Sequence, residues 1–171
     1  MASSFLTISR VGSIPGLESQ TAQFSRIYNE NCHRVYSLAF WMTDHEQVAE
    51  RVATNVFLRA FASGRPPSAE QIDRALLEEL RDLVTMEGLT LCCEASAESS
   101  SMGRNMKRVH LERAVVQLPA TEKLIFLLHD VEGYAHVRIA RLLGITESDC
   151  RLGLHQARLR VRELVSKIQQ T

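Results

Sequence analysis

No pair of cysteines in this chain stands at the C-x-x-C or C-x-x-x-C spacing that lets two thiolates converge on a zinc ion. Cys32, Cys92, Cys93 and Cys150 are the full set, and the adjacent pair Cys92-Cys93 suits neither a metal nor an ordinary disulfide. That usage points to a reducing, cytoplasmic setting. A basic leader ahead of an apolar stretch is also missing: Arg10 interrupts the weak hydrophobicity of MASSFLTISRVGSIPGLESQ, so no secretory signal is expected. No apolar run exceeds Leu124-Ile125-Phe126-Leu127-Leu128, about a quarter of the roughly 20 residues that a membrane-spanning helix needs. His33, His45, His110, His129, His136 and His155 have no carboxylate or cysteine at a spacing that builds a metal site or a triad, so each reads as a surface histidine. The expectation is a protein that is not an enzyme and needs no cofactor, metal or membrane.

A formal net charge of zero conceals a division of the chain. Up to Gly103 there are 8 arginines against 13 acids, and beyond it 12 basic residues against 7 acids. Such asymmetry is expected when one end meets nucleic acid phosphates and the other does not. Chance scatter of surface charge is the alternative at this point.

Apolar periodicity places helices on both sides of that division. Phe24, Ile27, Tyr28, Val35, Leu38, Ala39 and Met42 share one helical face. Thr43-Asp44 offers capping oxygens to a second helix with Val48, Val52, Ala53, Val56, Phe57, Ala60 and Phe61, ending at Ser63-Gly64 before Pro66-Pro67. A third starts near Ser68, with Ile72, Leu76, Leu80, Leu83 and Val84 inward and an acidic outer face. Tyr36, Phe40 and Trp41 read as core and interdomain packing. EASAESSSMGR, Glu94 to Arg104, has almost nothing to bury and reads as a flexible linker. Beyond it, Met106 to Leu118 is a short helix stopped by Pro119, and Thr121 caps another, with Leu124, Ile125, Leu127, Leu128 and Val131 apolar, that ends at Gly133. The expected fold class is all-α: a tail over 1–20, a helical bundle over 21–91, a linker over 92–105 and a second small helical domain over 106–171.

The segment from Ala135 to Leu164, AHVRIARLLGITESDCRLGLHQARLRVREL, has the grammar of a helix-turn-helix. Ile139, Ala140 and Leu143 form the inner face of its first helix. Gly144 supplies a turn position where positive φ costs little, and Ile145 plugs the angle between the helices. Thr146 caps the second helix, with Asp149 as the acidic half of a capping box. Cys150, Leu154, Ala157, Val161 and Leu164 would be buried, leaving Arg151, His155, Arg158, Arg160, Arg162 and Lys167 on the other face. The candidate DNA-binding set is Thr146, Ser148, Asp149, Arg151, Leu152, His155, Arg158, Arg160 and Arg162. Arg151 has the reach to pair with guanine, and Asp149 either accepts from cytosine or caps the helix.

LPATEKLIFLLHDVEGYAHVRIARLLGIT, Leu118 to Thr146, together with His155-x-Ala-Arg at His155 to Arg158, resembles region 4 of extracytoplasmic-function sigma factors, in the sigma-70 superfamily. Phe24 to Thr43 and Val56 to Phe61 resemble the start of region 2. The resemblance implies two helical domains, no catalysis, and partners that include core RNA polymerase, double-stranded promoter DNA and an anti-sigma protein. Region 2 would dock on the polymerase through a surface that includes Glu46, Glu50, Arg51, Asn55 and Arg59, and region 4 would read the distant promoter element.

Two departures stand out. Where the family has an acidic run before VFLRAF, this chain has Val48-Ala49-Glu50-Arg51-Val52-Ala53-Thr54-Asn55. From Ala62 to Leu91 there is no aromatic residue, and Arg65, Arg74 and Arg81 are outnumbered by Glu70, Asp73, Glu78, Glu79, Asp82 and Glu87, whereas capture of melted single strands needs aromatic faces and cations. The expectation is a sigma-type initiation factor that does not melt promoters unaided in the usual way. The alternatives are a sigma-like regulator or decoy and a dimeric helix-turn-helix repressor.

Overall fold

The alternation of apolar and polar residues at three and four spacing resolves into seven α-helices in the computed structural model, which describes residues 15–83 and 108–170. They are α1 (Pro15–Thr43), α2 (Glu46–Phe61), α3 (Ala69–Leu83), α4 (Arg108–Val116), α5 (Ala120–Phe126), α6 (His136–Leu143) and α7 (Glu147–Gln169), with a π-helical turn at Leu127–Val131 continuing α5. The expected linker and residue Val84 lie outside the described residues.

Helices α1 to α3 form one bundle. Val35, Leu38 and Ala39 of α1, Val52 and Val56 of α2, and Ile72 and Leu80 of α3 are each almost wholly shielded from water. Full burial of such side chains stabilises by roughly 1.5–3 kcal/mol each. An aromatic seam fastens α1 to α2: the Phe24 and Phe61 rings are 5.2 Å apart, and Tyr28 meets Phe57 edge-on at 4.7 Å. Tyr36 and Trp41 pack partly buried against the core, while Phe40 stays exposed.

The helix ends are only partly those the residue types suggest. Thr43 does not cap α2: its hydroxyl donates to the Ala39 carbonyl at 2.8 Å, and the cap position is His45, with no side-chain bond. A threonine in a last helical turn finds the carbonyl four residues back closer than the next helix. Asp44 instead turns the chain at φ 51°. Ser68 opens α3 reciprocally, accepting from the Gln71 amide at 3.3 Å while its own amide donates to Gln71 Oε1 at 2.7 Å. Leu83 is exposed, whereas Asp73, counted among the outer acids, is buried at 3% exposure.

Helices α4 to α7 form the second unit around Leu124, Ile125, Leu127, Ile139, Cys150 and Ala157. Pro119, not Thr121, holds the N-cap position of α5, its extended ψ of 145° breaking the chain away from α4. Val131, although apolar, is 61% exposed. The π turn explains this: its wider i to i+5 closure, including Glu132 N to Leu127 O at 3.0 Å, no longer stacks residue i+4 over residue i.

The two units touch, α3 against α6 and α1 against α5. Burial pushes the Lys123 ammonium of α5 below its ordinary value, and the charge of Asp44 from the first unit offsets part of that.

Candidate nucleic-acid interface

The helix-turn-helix consists of α6, the turn Gly144 to Thr146, and α7. Gly144 sits at φ 71°, and a Cβ there would meet nothing within 4 Å, so the glycine serves the backbone conformation alone. Ile145 packs half-buried against the core, and its amide bonds the Ala140 carbonyl at 3.1 Å, closing α6. Thr146 then opens α7 with a full capping box: the Asp149 amide donates to Thr146 Oγ1 at 3.1 Å, and the Thr146 amide donates to Asp149 Oδ2 at 3.3 Å. The Thr146 hydroxyl also donates to Asp149 Oδ2, at 2.6 Å. Asp149 is thus a capping residue whose carboxylate is already engaged.

The inward face of α7 is Cys150, Gly153, Leu154, Gln156, Ala157, Val161 and Val165, with Leu164 half-buried. Gly153 belongs to this face. The outward face carries Ser148, Arg151, His155, Arg158 and Arg162, with Leu152 half-buried beside them. Together they lie along the exposed side of a helix whose first turn is pinned by its cap, the geometry of a helix presented to a major groove.

The cations of that face differ in freedom. Arg151 pairs with Glu147 one turn back, at 2.5 Å, and both are solvated. Arg158 is gripped by Asp130 from the π turn, Nε to Oδ2 at 3.0 Å and Nη2 to Oδ1 at 2.6 Å. Arg160 turns inward: its Nε lies 3.3 Å from Glu122 Oε2, and the Glu122 carboxylate is buried. Burial pushes the Glu122 carboxyl above its usual range, and the charge of Arg160 offsets only part of that. Arg160 therefore balances a core carboxylate more than it faces solvent. Asp130 and Glu122 give no periodic signal in the sequence, because they stand 28 and 38 residues from the arginines they hold.

His129 and His136 are half-buried rather than surface residues, and their rings stack with centroids 4.5 Å apart. The Cys150 sulfur lies 3.6 Å from His136 Nδ1. Burial, then the charges of His129, Arg151 and Arg158, hold His136 below its ordinary value, favouring the neutral ring. Burial raises the Cys150 thiol, so it packs as an unreactive group. Among the described residues, no group of three or more such side chains is placed to hold a metal ion.

On the first unit, Glu46, Glu50, Arg51, Asn55 and Arg59 all lie exposed along α2. Glu46, Glu50 and Arg51 keep their side chains toward solvent. Asn55 donates to Glu79 at 3.0 Å, and Arg59 is shared between Glu78 at 2.7 Å and Glu79 at 2.6 Å, which ties α2 to α3.

The sequence from 108 to 161, taking in α4 to α6 and most of α7, matches the family described as sigma-70, region 4. That stretch, about a third of the chain, is similar to sigma-70 region 4. In three dimensions it is similar to the sigma factor RpoE of Bartonella quintana, solved in complex with the anti-sigma factor NepR, with a TM-score of 0.62 over 84% of this chain and 96% of that one. Identity to it is 15%, so the likeness over the N-terminal bundle is one of fold. No curated protein sequence matches the chain significantly. The matched stretch takes in the capped helix-turn-helix through Val161, with α4 and α5 packed behind it and the π turn supplying Asp130 to α7. No described helix is long and apolar enough to cross a membrane.

Proposed function

We propose that this sigma-type transcription factor binds core RNA polymerase and directs it to promoters, with α7 as the helix that reads duplex DNA. The observation that carries the reading is the opening of α7. Thr146 and Asp149 pin its first turn, and Ser148, Arg151, Leu152, His155 and Arg162 follow along one accessible side. Arg151 and His155 are one turn apart and reach base edges, while Arg162, two turns further on, meets backbone phosphate. Arg158 contacts phosphate from the position Asp130 sets, Asp149 acts through the cap, and Arg160 supports the helix from behind.

Polymerase docking falls to the exposed side of α2, with Glu46, Glu50 and Arg51 as direct contacts and Asn55 and Arg59 holding α2 on α3. The domain division is a tail, a bundle to residue 91, a linker over 92–105 and region 4 from 106 onward. An anti-sigma protein is the expected regulator, since the fold neighbour is bound by one.

A second reading has a specific observation behind it. The described part of the segment after Phe61 has no aromatic side chain, and α3 presents Glu70, Glu78, Glu79 and Asp82 instead of a surface for a single strand. This favours a regulator or decoy that occupies polymerase or promoter without opening DNA. One experiment separates the two. The tagged chain is purified with core RNA polymerase from its native cell, and the complex is assayed on promoter DNA for strand opening. Stoichiometric retention with opening supports initiation, retention without opening supports the regulator, and loss of polymerase from folded, partner-free protein defeats initiation and leaves a regulator that acts away from polymerase.

A further inference from the structure

Arg151 stands on the outward side of α7 with one edge of its guanidinium already engaged. Its Nε and Nη2 both donate to Glu147 Oε1, at 3.1 and 2.5 Å, from one turn ahead on the same helix. A guanidinium holds its five N–H donors in a fixed plane, so a carboxylate on the Nε–Nη2 edge leaves the Nη1–Nη2 edge as the fork it can offer elsewhere. Glu147 takes no part in the cap, because Thr146 and Asp149 close the capping box between themselves. An acid in the first turn suits the positive end of the helix dipole, which accounts for the residue type but not for its contact with Arg151. Both side chains remain in water, Arg151 65% and Glu147 42% exposed, and an exposed pair of this kind contributes little to stability.

On a face presented to DNA, a carboxylate lowers affinity by repelling phosphate. The same repulsion selects among the partners of its neighbour. An unpaired arginine at this position takes a phosphate oxygen as readily as a base edge, whereas Arg151 beside Glu147 carries little net charge and still presents two parallel donors. Guanine O6 and N7 are uncharged acceptors that match such a fork. Holding the side chain in one geometry beforehand also removes part of the ordering cost that binding otherwise carries. We propose that Glu147 is a specificity-determining positioning residue: it orients Arg151 so that the free edge of the guanidinium reads guanine in the major groove and not the backbone beside it. The inference deepens the DNA-binding reading of α7 and rests on it.

The test uses the full chain with Glu147→Ala, Glu147→Asp and, separately, Arg151→Ala. Circular dichroism checks the fold, selection from a randomised duplex library reads base preference position by position, and anisotropy with a labelled random-sequence duplex reads the salt dependence of binding. The unmodified chain is expected to select guanine at a position where Arg151→Ala does not. Glu147→Ala should lower that guanine preference by about fivefold. It should also tighten random-sequence binding and steepen the salt slope by about one, as the released Arg151 takes a phosphate. Glu147→Asp keeps a carboxylate one turn from Arg151 and should restore most of the preference. A guanine preference that survives Glu147→Ala, a salt slope that Glu147→Ala leaves unchanged, a preference lost equally in Glu147→Asp, or duplex binding with no guanine preference for Arg151→Ala to remove would each overturn the inference while duplex binding itself stands. No duplex binding by the unmodified chain, alone or with core RNA polymerase added, would overturn the DNA-binding reading and this inference with it.

Discussion

Asp130 and Arg158 form a two-point grip, 2.6 and 3.0 Å, between the π turn that follows α5 and the middle of α7. His129 Nδ1 lies 2.7 Å from the same carboxylate. The grip sets the position of a cation on the outward side of α7 without removing it from solvent, since the Arg158 side chain remains 47% exposed.

Acid should loosen that grip. Burial pushes the Asp130 carboxyl up, but the hydrogen bonds from Arg158 and His129 outweigh it and leave the group below the usual carboxylate range. With the native value depressed, its stabilising contribution is present above the unfolded value and is lost as pH falls through the native one. Urea titrations from pH 6 downward should therefore show a decline that Asp130→Asn largely lacks. A double-mutant cycle on Asp130 and Arg158 should give a coupling of about 0.5–1 kcal/mol, the scale of a part-exposed pair.

Duplex affinity should depend on the outward cations. Arg151→Glu with Arg162→Glu is expected to abolish binding to a duplex at moderate salt, and unchanged affinity would show that another face carries the DNA. Arg162→Ala alone should weaken binding uniformly across sequences and lower the salt slope by about one. Arg151→Ala should instead flatten the preference among sequences.

Glu122 and Arg160 should respond oppositely to substitution. The native Glu122 carboxyl holds its proton more tightly than the unfolded chain does, so stability falls as pH rises from the unfolded value through the raised native one. Glu122→Gln removes that cost and is expected to stabilise at neutral pH by about 1 kcal/mol, a modest figure because Arg160 is part-exposed and water screens it. Arg160→Ala leaves the buried carboxylate unpaired and should destabilise by about 1–2 kcal/mol. Thermal unfolding at pH 7 distinguishes the signs.

The turn between α6 and α7 should tolerate little. Thr146→Ala removes the capping oxygen from α7 and is expected to cost about 1 kcal/mol. Gly144→Ala should cost about the same through its positive φ alone, since there is space for the methyl group. Both losses should be visible in denaturant midpoints before any change in DNA contact is considered.

What the sequence determined by itself was local. Helical periodicity marks α1 to α3 and α5 to α7, and Gly144, Thr146 and Asp149 mark the turn and cap of the helix-turn-helix, because spacing and backbone preference act over a few residues. The outward set on α7 follows from the same periodicity. Tertiary structure decided which of those charges are free. Asp73 is 39 residues from Arg34 and 65 from Arg138, and Glu122 and Asp130 are likewise remote from Arg160 and Arg158. Nothing in a helical repeat distinguishes an acid that faces water from one that meets a cation on a distant helix. The π turn is equally silent in sequence, since it changes the closure of the backbone and not the residue types, and it alone turned Val131 outward. The packing of α3 on α6 is a third such case: composition separates an acidic end from a basic one, and only folding brings the two together.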